Sequence, residues 1–238
     1  MRLKHKTILI TGGGGGIGRV MARAFVEEGA RVLICGRERN RLKSAAAEIQ
    51  DPQGRFFYQT ADITSADDLK RLAGWIDQTW GRLDVLVNNA GVLGVMVPLR
   101  DYPEAIWKEV IRINLTGSFL VTKAMLPLLI KAGGGSIINL SSTVGRKGRA
   151  NWGAYAVSKF GLEGLTEILA EELKPYGIRV NTVNPGGTRT EMRSVAYPEE
   201  DPSTLPTPDK IMPLFIHLAS DESKKVTGQA LNARDWMK

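Results

Sequence analysis

Residues 7–18 are Thr7-Ile8-Leu9-Ile10-Thr11-Gly12-Gly13-Gly14-Gly15-Gly16-Ile17-Gly18, and this stretch decides the fold. A short apolar run leads into a glycine turn, and an amphipathic helix pattern follows at once. Glycines permit the turn and let a pyrophosphate approach the backbone, while the helix N-terminus offers free N–H groups to the anion. A flexible turn would also use glycines, but the position at the first strand–helix junction favours a dinucleotide site. The predicted phosphate contacts are Gly12, Gly14, Gly15, Gly16, Ile17 and Gly18.

Short β-branched runs alternate with longer helical patterns on the C-terminal side of this turn. We predict strands at 7–11, 31–35, 55–60, 83–88, 136–140, 179–183 and 229–232. Helices are predicted at about 16–29, 38–50, 65–79, 103–131, 152–174 and 208–219. This alternation implies right-handed βαβ units. The sequence therefore predicts a single α/β domain over 1–238, a Rossmann-type doubly wound sheet of about seven parallel strands with helices on both faces.

The composition narrows the class of protein. The 238 residues are 43% hydrophobic and 24% charged, which suits a globular chain with a sizeable core. There is no run of about 18 apolar residues and no room for a secretory signal before the first strand, so we expect no membrane partner. The single cysteine, Cys35, suggests a reducing cytoplasm. The net charge is +7, and the Lys and Arg residues are scattered without a basic tract, so we predict a phosphate-bearing cofactor or an acidic carrier as the partner rather than nucleic acid. We predict no metal site.

Cofactor preference depends on the end of the second predicted strand. NAD sites usually place an acidic residue about 20 residues after the glycine turn, where it binds the ribose 2′-hydroxyl. Here the chain has Gly36 followed by Arg37. A guanidinium at this point suits a 2′-phosphate through charge-assisted hydrogen bonds. We therefore predict NADP(H) over NAD(H), with Arg39 as a helper; the alternative is that Arg37 is a solvated loop residue.

A tyrosine and a lysine lie four residues apart in Tyr155-Ala156-Val157-Ser158-Lys159, on one face of a predicted helix. A phenol with a pKa of about 10 holds its proton too tightly to act as an acid near neutrality, and a nearby cation lowers that pKa. Lowering it by ~3 units requires ~4 kcal/mol of differential stabilisation. That amount is attainable in a dry cleft. An ordinary amphipathic helix would show the same pair, so the spacing decides nothing alone.

Several motifs in a fixed order give the chain, over roughly residues 3–232, a resemblance to the short-chain dehydrogenase/reductase family. They are Thr11-Gly12-x-x-x-Gly16-x-Gly18, Asp62, Asn88-Asn89-Ala90-Gly91, Asn114, Ser142, Tyr155-x-x-x-Lys159 and Pro185-Gly186. The resemblance implies hydride transfer between a nicotinamide cofactor and a secondary alcohol or ketone. It implies Tyr155 as general acid or base, Lys159 as its electrostatic partner and a ribose ligand, and Ser142 as a hydrogen-bond donor to the substrate oxygen. Ser141 competes for the last role, but the thirteen-residue spacing before Tyr155 favours Ser142.

The remaining roles also follow from the resemblance. Asn114 is expected to hold a water that relays protons from Lys159, or else to bond backbone within its helix. Asp62 is expected with Ile63 at the adenine edge, or else as a turn residue. The other expected cofactor contacts are Asn89, Ala90 and Gly91 at the ribose, and Pro185, Gly186, Thr188 and Thr190 at the nicotinamide.

Substrate identity shows only weakly in the sequence. Prolines make 191–207 a surface loop too short for a long lid helix, so we expect an open pocket or one closed by a neighbouring subunit. The tail at 233–238 either joins an interface through Trp236 or frays. By position, the pocket rim is predicted at Gly94, Val95, Met96, Val144, Trp152 and Gly187.

Three further hypotheses remain open. The basic residues Arg146, Lys147 and Arg149 suggest an acyl-carrier-protein or coenzyme A substrate, or else a solvated loop face. A 3-oxoacyl-thioester reductase is the second candidate enzyme, and a non-catalytic dinucleotide sensor or scaffold is the candidate from another class. The resemblance also implies a homo-oligomer, a tetramer first and a dimer second, in which the long helices at 103–131 and 152–174 pair across a twofold axis. The apolar residues expected to serve these faces, or else only the core, are Ile111, Leu115, Phe119, Phe160, Leu165 and Leu169.

Overall fold

The computed structural model describes residues 1–237, and its centre is a seven-stranded parallel sheet in the order β3-β2-β1-β4-β5-β6-β7. The strands are β1 Thr7–Thr11, β2 Arg31–Gly36, β3 Phe56–Thr60, β4 Val85–Asn88, β5 Gly135–Leu140, β6 Ile178–Asn184 and β7 Ala230–Asn232. The predicted doubly wound α/β fold is confirmed. Strand order reverses between β1 and β4, which opens a crevice at the carboxyl ends of these two strands.

Helices cover both faces of the sheet. They are α1 Gly16–Glu27, α2 Arg39–Ile49, α3 Ala66–Trp80, α4 Glu104–Ile111, α5 Ser118–Lys131, α6 Gly153–Glu172, α7 Glu191–Ala196 and α8 Met212–Ala219. A π-helical turn, Arg112–Gly117, joins α4 to α5 without a break in the helix. The helices predicted from sequence are confirmed within a few residues of their bounds.

Two apolar cores lie on opposite faces of the sheet, which explains why the inner strands are apolar at nearly every position. Phe25 of α1 and Phe215 of α8 are fully buried in one core, and Ile76 of α3 and Met125 of α5 in the other. The continuous helix Glu104–Lys131 is long and apolar enough to cross a membrane, with a mean hydropathy of 1.5 over its best window. Half of that window is buried inside the fold, as in the core helix of a globular protein.

The predicted loop at 191–207 and the tail differ in detail from expectation. The loop begins with the short helix α7 and continues through a 3₁₀ turn at Pro202–Thr204, consistent with its prolines. The tail forms a 3₁₀ turn, Ala233–Trp236, in which Ala233 is fully buried. Trp236 stacks on His217 of α8 with ring centroids 4.6 Å apart, so this part of the tail is packed rather than frayed. Residue 238 lies outside the described residues.

Candidate active site

The glycine turn after β1 fits a phosphate group because side chains are sterically excluded from it. A Cβ on Gly13 would lie 2.5 Å from Cβ of Ile34, and one on Gly12 would lie 2.8 Å from Cα of Ala90. Gly15 is the N-cap of α1, with an extended backbone and no side-chain cap, so the first N–H groups of the helix are free for an anion. Gly18 is one turn inside α1, where a Cβ would lie 2.5 Å from the Asn89 side chain.

Asn89, at the end of β4, fixes the glycine turn in place. Its Nδ2 donates to the carbonyls of Thr11 at 2.8 Å and Gly12 at 3.1 Å. The backbone N–H groups of Asn89 and Ala90 both donate to the Thr11 hydroxyl at 3.0 Å. The Asn-Ala-Gly segment thus joins the two strands that flank the switch point, and it forms one wall of the cleft.

The adenosine end of the cleft is lined by Arg37 and Arg41, and Arg39 does not line it. Arg41 is one helical turn into α2, and its guanidinium lies 3.2 Å from Glu38 and 3.3 Å from Glu191 of α7. The helper role of Arg39 stays a prediction, and Arg41 rather than Arg39 lines the cleft beside Arg37. Helical periodicity starting at residue 39 could have indicated this.

Asp62 lines the same end of the cleft and is a turn residue, and its contact with adenine stays a prediction. Its carboxylate accepts from the N–H and the hydroxyl of Thr64, each at 2.8 Å. Burial acts to raise the pKa of Asp62, but these bonds and the charges of Arg112 and Arg37 hold that pKa below its ordinary value. Asp62 is therefore an anionic acceptor at the edge of the cleft, next to Ile63.

Tyr155, Lys159 and Ser142 meet in the middle of the cleft, as predicted. Lys159 Nζ lies 5.6 Å from the centre of the Tyr155 ring and donates to the Leu140 carbonyl at 2.7 Å. Tyr155 and Lys159 are only 8% and 4% exposed. Ser142 follows β5 and accepts from the N–H of Val144 at 3.4 Å, which anchors its hydroxyl toward the cleft.

The protonation of this pair differs from the sequence-based expectation. Burial raises the pKa of Tyr155 to about 12, and the Ser142 hydroxyl opposes this only in part. Burial lowers the pKa of Lys159 to about 8, although the nearby Glu163 carboxylate acts to raise it. The expected lowering of the phenol pKa by Lys159 is not found: desolvation is the largest influence on Tyr155, only the Ser142 hydroxyl opposes it, and the Lys159 Nζ donates to the Leu140 carbonyl.

Asn114 is fully buried in the π-helical turn and does not line the cleft. Its Oδ1 accepts from the Val92 N–H at 2.8 Å, and its Nδ2 donates to the Val92 carbonyl at 2.9 Å and the Ser158 hydroxyl at 3.1 Å. It binds backbone of the loop after β4 rather than of its own helix. π turns of this kind are frequent at functional sites. Asn114 fixes the segment beside Gly91, and its relay role stays a prediction.

The cleft has a volume of about 560 Å³ and runs from the end of β2 to α7. Its lining includes every predicted cofactor and catalytic residue except Gly18, which supports the turn from behind, and Asn114. The lining residues from the glycine turn and from the segment after β6 are Gly14, Gly16, Ile17, Pro185, Gly186, Thr188 and Thr190. Thr190 faces Gly16, since a Cβ on that glycine would lie 3.9 Å from Thr190 Cγ2.

Helix α7 supplies one wall of the cleft, which sequence reasoning missed. Met192, Arg193, Val195 and Ala196 line it beside Trp152, and the other predicted rim residues do not. The positions Gly94, Val95, Met96, Val144 and Gly187 are therefore corrected. No local pattern could assign a six-residue helix in a proline-rich loop to this wall.

An aromatic series connects the loop that carries α7 to Tyr155. The Trp152 ring lies 5.6 Å from the Tyr155 ring and 5.9 Å from the Tyr197 ring. The Arg193 guanidinium stacks on Tyr197 at 3.8 Å and forms two 2.6 Å hydrogen bonds with Glu200. The loop thereby holds its own helix against Trp152, and a contribution from a neighbouring subunit stays a prediction.

Arg146 is engaged internally and is not available to an acidic carrier. Its guanidinium donates to Glu163 at 2.9 Å, to Asn232 at 2.8 Å and to the Leu231 carbonyl at 3.1 Å. It therefore joins the loop after Ser142 to α6 and β7. Only Lys147 and Arg149 of the predicted basic cluster are exposed.

Comparisons with known proteins agree with this geometry. The sequence model described as short chain dehydrogenase matches residues 6–201. The chain is 41% identical to the oxidoreductase YciK of Escherichia coli K12, over 99% of this chain and 94% of that protein. It is 37% identical to the 3-oxoacyl-[acyl-carrier-protein] reductase FabG of Thermotoga maritima, over 97% of each. A crystal structure of a short chain dehydrogenase of Shigella flexneri 2a complexed with NADP superposes with a TM-score of 0.94 at 42% identity, covering 98% of both chains.

Proposed function

The chain belongs to the short-chain dehydrogenase/reductase family, and on that premise we propose that it is an NADP(H)-dependent oxidoreductase that interconverts a ketone and a secondary alcohol. The observation that carries the proposal is the burial of Tyr155, Lys159 and Ser142 in the cleft that the glycine turn enters. A pure binding protein has no chemical need to keep an ammonium and a phenol together in a desolvated cleft, because this arrangement is energetically unfavourable.

A nicotinamide bound in this cleft would supply or accept the hydride. Tyr155 donates its phenolic proton to the carbonyl oxygen as negative charge develops there. Ser142 donates a hydrogen bond to the same oxygen and stabilises that charge. At neutral pH the phenol is protonated, because its pKa is about 12, and this is the state that ketone reduction needs. Lys159 is the charged group closest to the phenolate that remains, and its Nζ is held at the Leu140 carbonyl.

Tyr155→Phe tests turnover against the sensor or scaffold alternative. The substitution removes the acid and keeps the ring that packs on Trp152. We expect kcat to fall by ~10³-fold, within the range for general acid–base groups, while NADPH binding measured by fluorescence titration changes little. An unchanged rate of NADPH oxidation would contradict the assigned chemistry. Absence of any turnover in the unmodified protein across the substrate panel below would favour the sensor.

Preference for NADP(H) is supported by Arg37, which lines the adenosine end, and by the absence of an acidic residue at position 36. Arg37→Ala removes the charge-assisted bonds to a 2′-phosphate, so KM for NADPH should rise about 10- to 100-fold, with little change for NADH. Arg39→Ala is the matched control, because it removes an equal charge two residues away, outside the cleft lining. Equal effects of both variants, or a native preference for NADH, would refute the assignment.

The substrate side favours an apolar ketone with a planar part. Trp152, Met192, Val195 and Ala196 form its wall, and Arg193 is already neutralised by Glu200. A 3-oxoacyl thioester is the second candidate because of the 37% identity to FabG, but the engagement of Arg146 leaves little charge for a carrier. Rates of NADPH oxidation with cyclic ketones, β-ketoacyl thioesters and quinones show which of the two substrate classes, an apolar ketone or a 3-oxoacyl thioester, the enzyme prefers. A clear preference for carrier-bound thioesters would overturn the assignment of an apolar ketone as the substrate.

We also propose a cytoplasmic homo-oligomer, a tetramer before a dimer. Phe119 on α5 and Val157 and Phe160 on α6 are 43%, 46% and 46% exposed, and together with Ile168 they give two long helices an apolar outer face. Light scattering of the purified protein measures the mass directly. A monomer at micromolar concentration would contradict this proposal without affecting the catalytic one.

A further inference from the structure

We propose a second binding site, for a phosphate-bearing anion, at the pole of the molecule opposite the cofactor cleft. A pocket of about 440 Å³ lies at the N-terminal ends of the parallel strands, whereas the cofactor cleft lies at their carboxyl ends. Four basic residues line this pocket: Lys4, His5, Arg31 and Arg55. No Asp or Glu is among its lining residues. We call it the polar-end pocket.

Backbone pairing brings the four basic residues together. The Arg31 N–H donates to the Lys6 carbonyl at 2.8 Å, and the Val32 N–H donates to the Arg55 carbonyl at 2.8 Å. Segments that end at His5, begin at Arg31 and begin at Arg55 are therefore adjacent at one edge of the sheet. Lys4 is held there by Gly29, where a Cβ would lie 3.3 Å from Lys4 Cα. The backbone of the sheet therefore places these basic residues close together, whatever conformations their side chains adopt.

Among these four residues, only Arg55 has a carboxylate within ion-pairing distance in residues 1–237. Within residues 1–237, no carboxylate lies within ion-pairing distance of Lys4 or Arg31. Arg55 reaches Asp51 only at 3.5 Å, and Asp51 is occupied by backbone N–H groups of its own turn. The buried Nε of Arg55 finds no hydrogen-bond partner in the same range of the chain.

One wall of the pocket is formed by aromatic residues. Phe57 and Trp80 line it, and their rings lie 5.8 Å apart in an edge-to-face arrangement. This wall contacts a planar or apolar group, and the cations bind phosphate oxygens through charge-assisted hydrogen bonds. A nucleotide has both parts, so the geometry matches a nucleoside diphosphate, with its pyrophosphate on the basic side.

The competing explanation is that the cations only complement helix ends. Helices α1 and α3 both finish at this pole, at Glu27 and Trp80, and helix C-termini carry partial negative charge. In that case the pocket has no affinity for anions. Binding of inorganic pyrophosphate decides between the two explanations.

The experiment is isothermal titration calorimetry of pyrophosphate, and then of ADP, into protein saturated with NADP⁺, so that the cofactor cleft cannot take up the probe. The test variant is Lys4→Ala/Arg31→Ala, since both residues are exposed. The matched control is Lys70→Ala/Lys123→Ala, which removes the same charge from exposed positions on α3 and α5. Circular dichroism and NADP⁺ affinity check that both variants are folded.

We expect pyrophosphate to bind the unmodified protein and the control alike, and the test variant to bind at least about tenfold more weakly. ADP should bind more tightly than pyrophosphate, and Trp80→Ala should remove that difference. No binding to the unmodified protein, or equal weakening in the test and control variants, would overturn the proposal. The outcome leaves the oxidoreductase assignment untouched, because no residue of the polar-end pocket lies in the cofactor cleft.

Discussion

Lys159 should destabilise the folded protein near neutral pH, and a stability measurement can reveal this. Burial lowers its pKa from 10.5 to about 8. At about 1.36 kcal/mol per pKa unit, that gap corresponds to ~3 kcal/mol of unfavourable free energy whenever both states carry the proton, that is below pH 8. Between pH 8 and 10.5 the unfolded chain keeps the proton and the folded chain loses it, so the stability contributed by this group rises with pH.

Lys159→Met removes the charge and keeps a similar length of apolar chain. At pH 7 the variant avoids the ~3 kcal/mol penalty but loses the 2.7 Å bond from Nζ to the Leu140 carbonyl, a loss of ~1 kcal/mol, so it should be more stable by ~2 kcal/mol. At pH 10 most of the penalty is gone, and the advantage of the variant should disappear. Turnover should be lost at every pH, because the phenolate has no cation beside it.

The assay is urea denaturation followed by circular dichroism at pH 7 and pH 10. Other groups that titrate in this range are shared by both proteins and cancel in the difference between them. Lys123→Met is the control, since Lys123 is exposed on α5 and should show no pH-dependent difference. If the unmodified protein and Lys159→Met respond equally to pH, the ammonium is solvated and the electrostatic account of the cleft is wrong.

Three further substitutions or reagents test the surrounding structure. Gly18→Ala places a Cβ 2.5 Å from the Asn89 amide, so the free energy of unfolding measured by urea denaturation should fall by about 1 to 3 kcal/mol, and NADPH should bind more weakly. A variant with unchanged stability and NADPH affinity would show that the turn is not close-packed. Arg146→Leu leaves the Glu163 carboxylate, 15% exposed, without its ion-pair partner, so the free energy of unfolding should fall by about 2 kcal/mol, less than for a fully buried pair; stability equal to that of the unmodified protein would contradict this. Cys35 is fully buried and its pKa is raised to about 12, so a thiol reagent at pH 8 should label it only after urea is added; rapid labelling of the native protein would refute the burial.

Much of the fold can be predicted from patterns of residues that are close along the chain. The alternation of apolar runs and amphipathic helices predicts the strands, because side-chain periodicity and burial on both faces of a parallel sheet leave distinct patterns. The glycine turn itself is equally local, since Gly12 has a φ of 66°, whereas the lack of room for a Cβ at Gly13 comes from Ile34 of β2. The tyrosine–lysine pair follows from the pitch of one helix. These features were predicted from the sequence because each depends on residues that are close along the chain.

Other features of the site depend on which distant segments meet. Arg41 reaches Glu191 across 150 positions, and Arg146 reaches β7 across 86, so neither contact has a signature in the local sequence. The wall formed by α7 exists because Arg193 stacks on Tyr197 and Tyr197 packs on Trp152, which lies in a different loop.

The protonation states of Tyr155 and Lys159 show most clearly which properties come from the sequence and which from the tertiary structure. The sequence alone placed an ammonium and a phenol on one helical face, and in doing so fixed the chemistry available to the protein. Only the tertiary structure decided that the Tyr155 pKa is raised and the Lys159 pKa is lowered, because desolvation depends on how completely other segments exclude water from both groups.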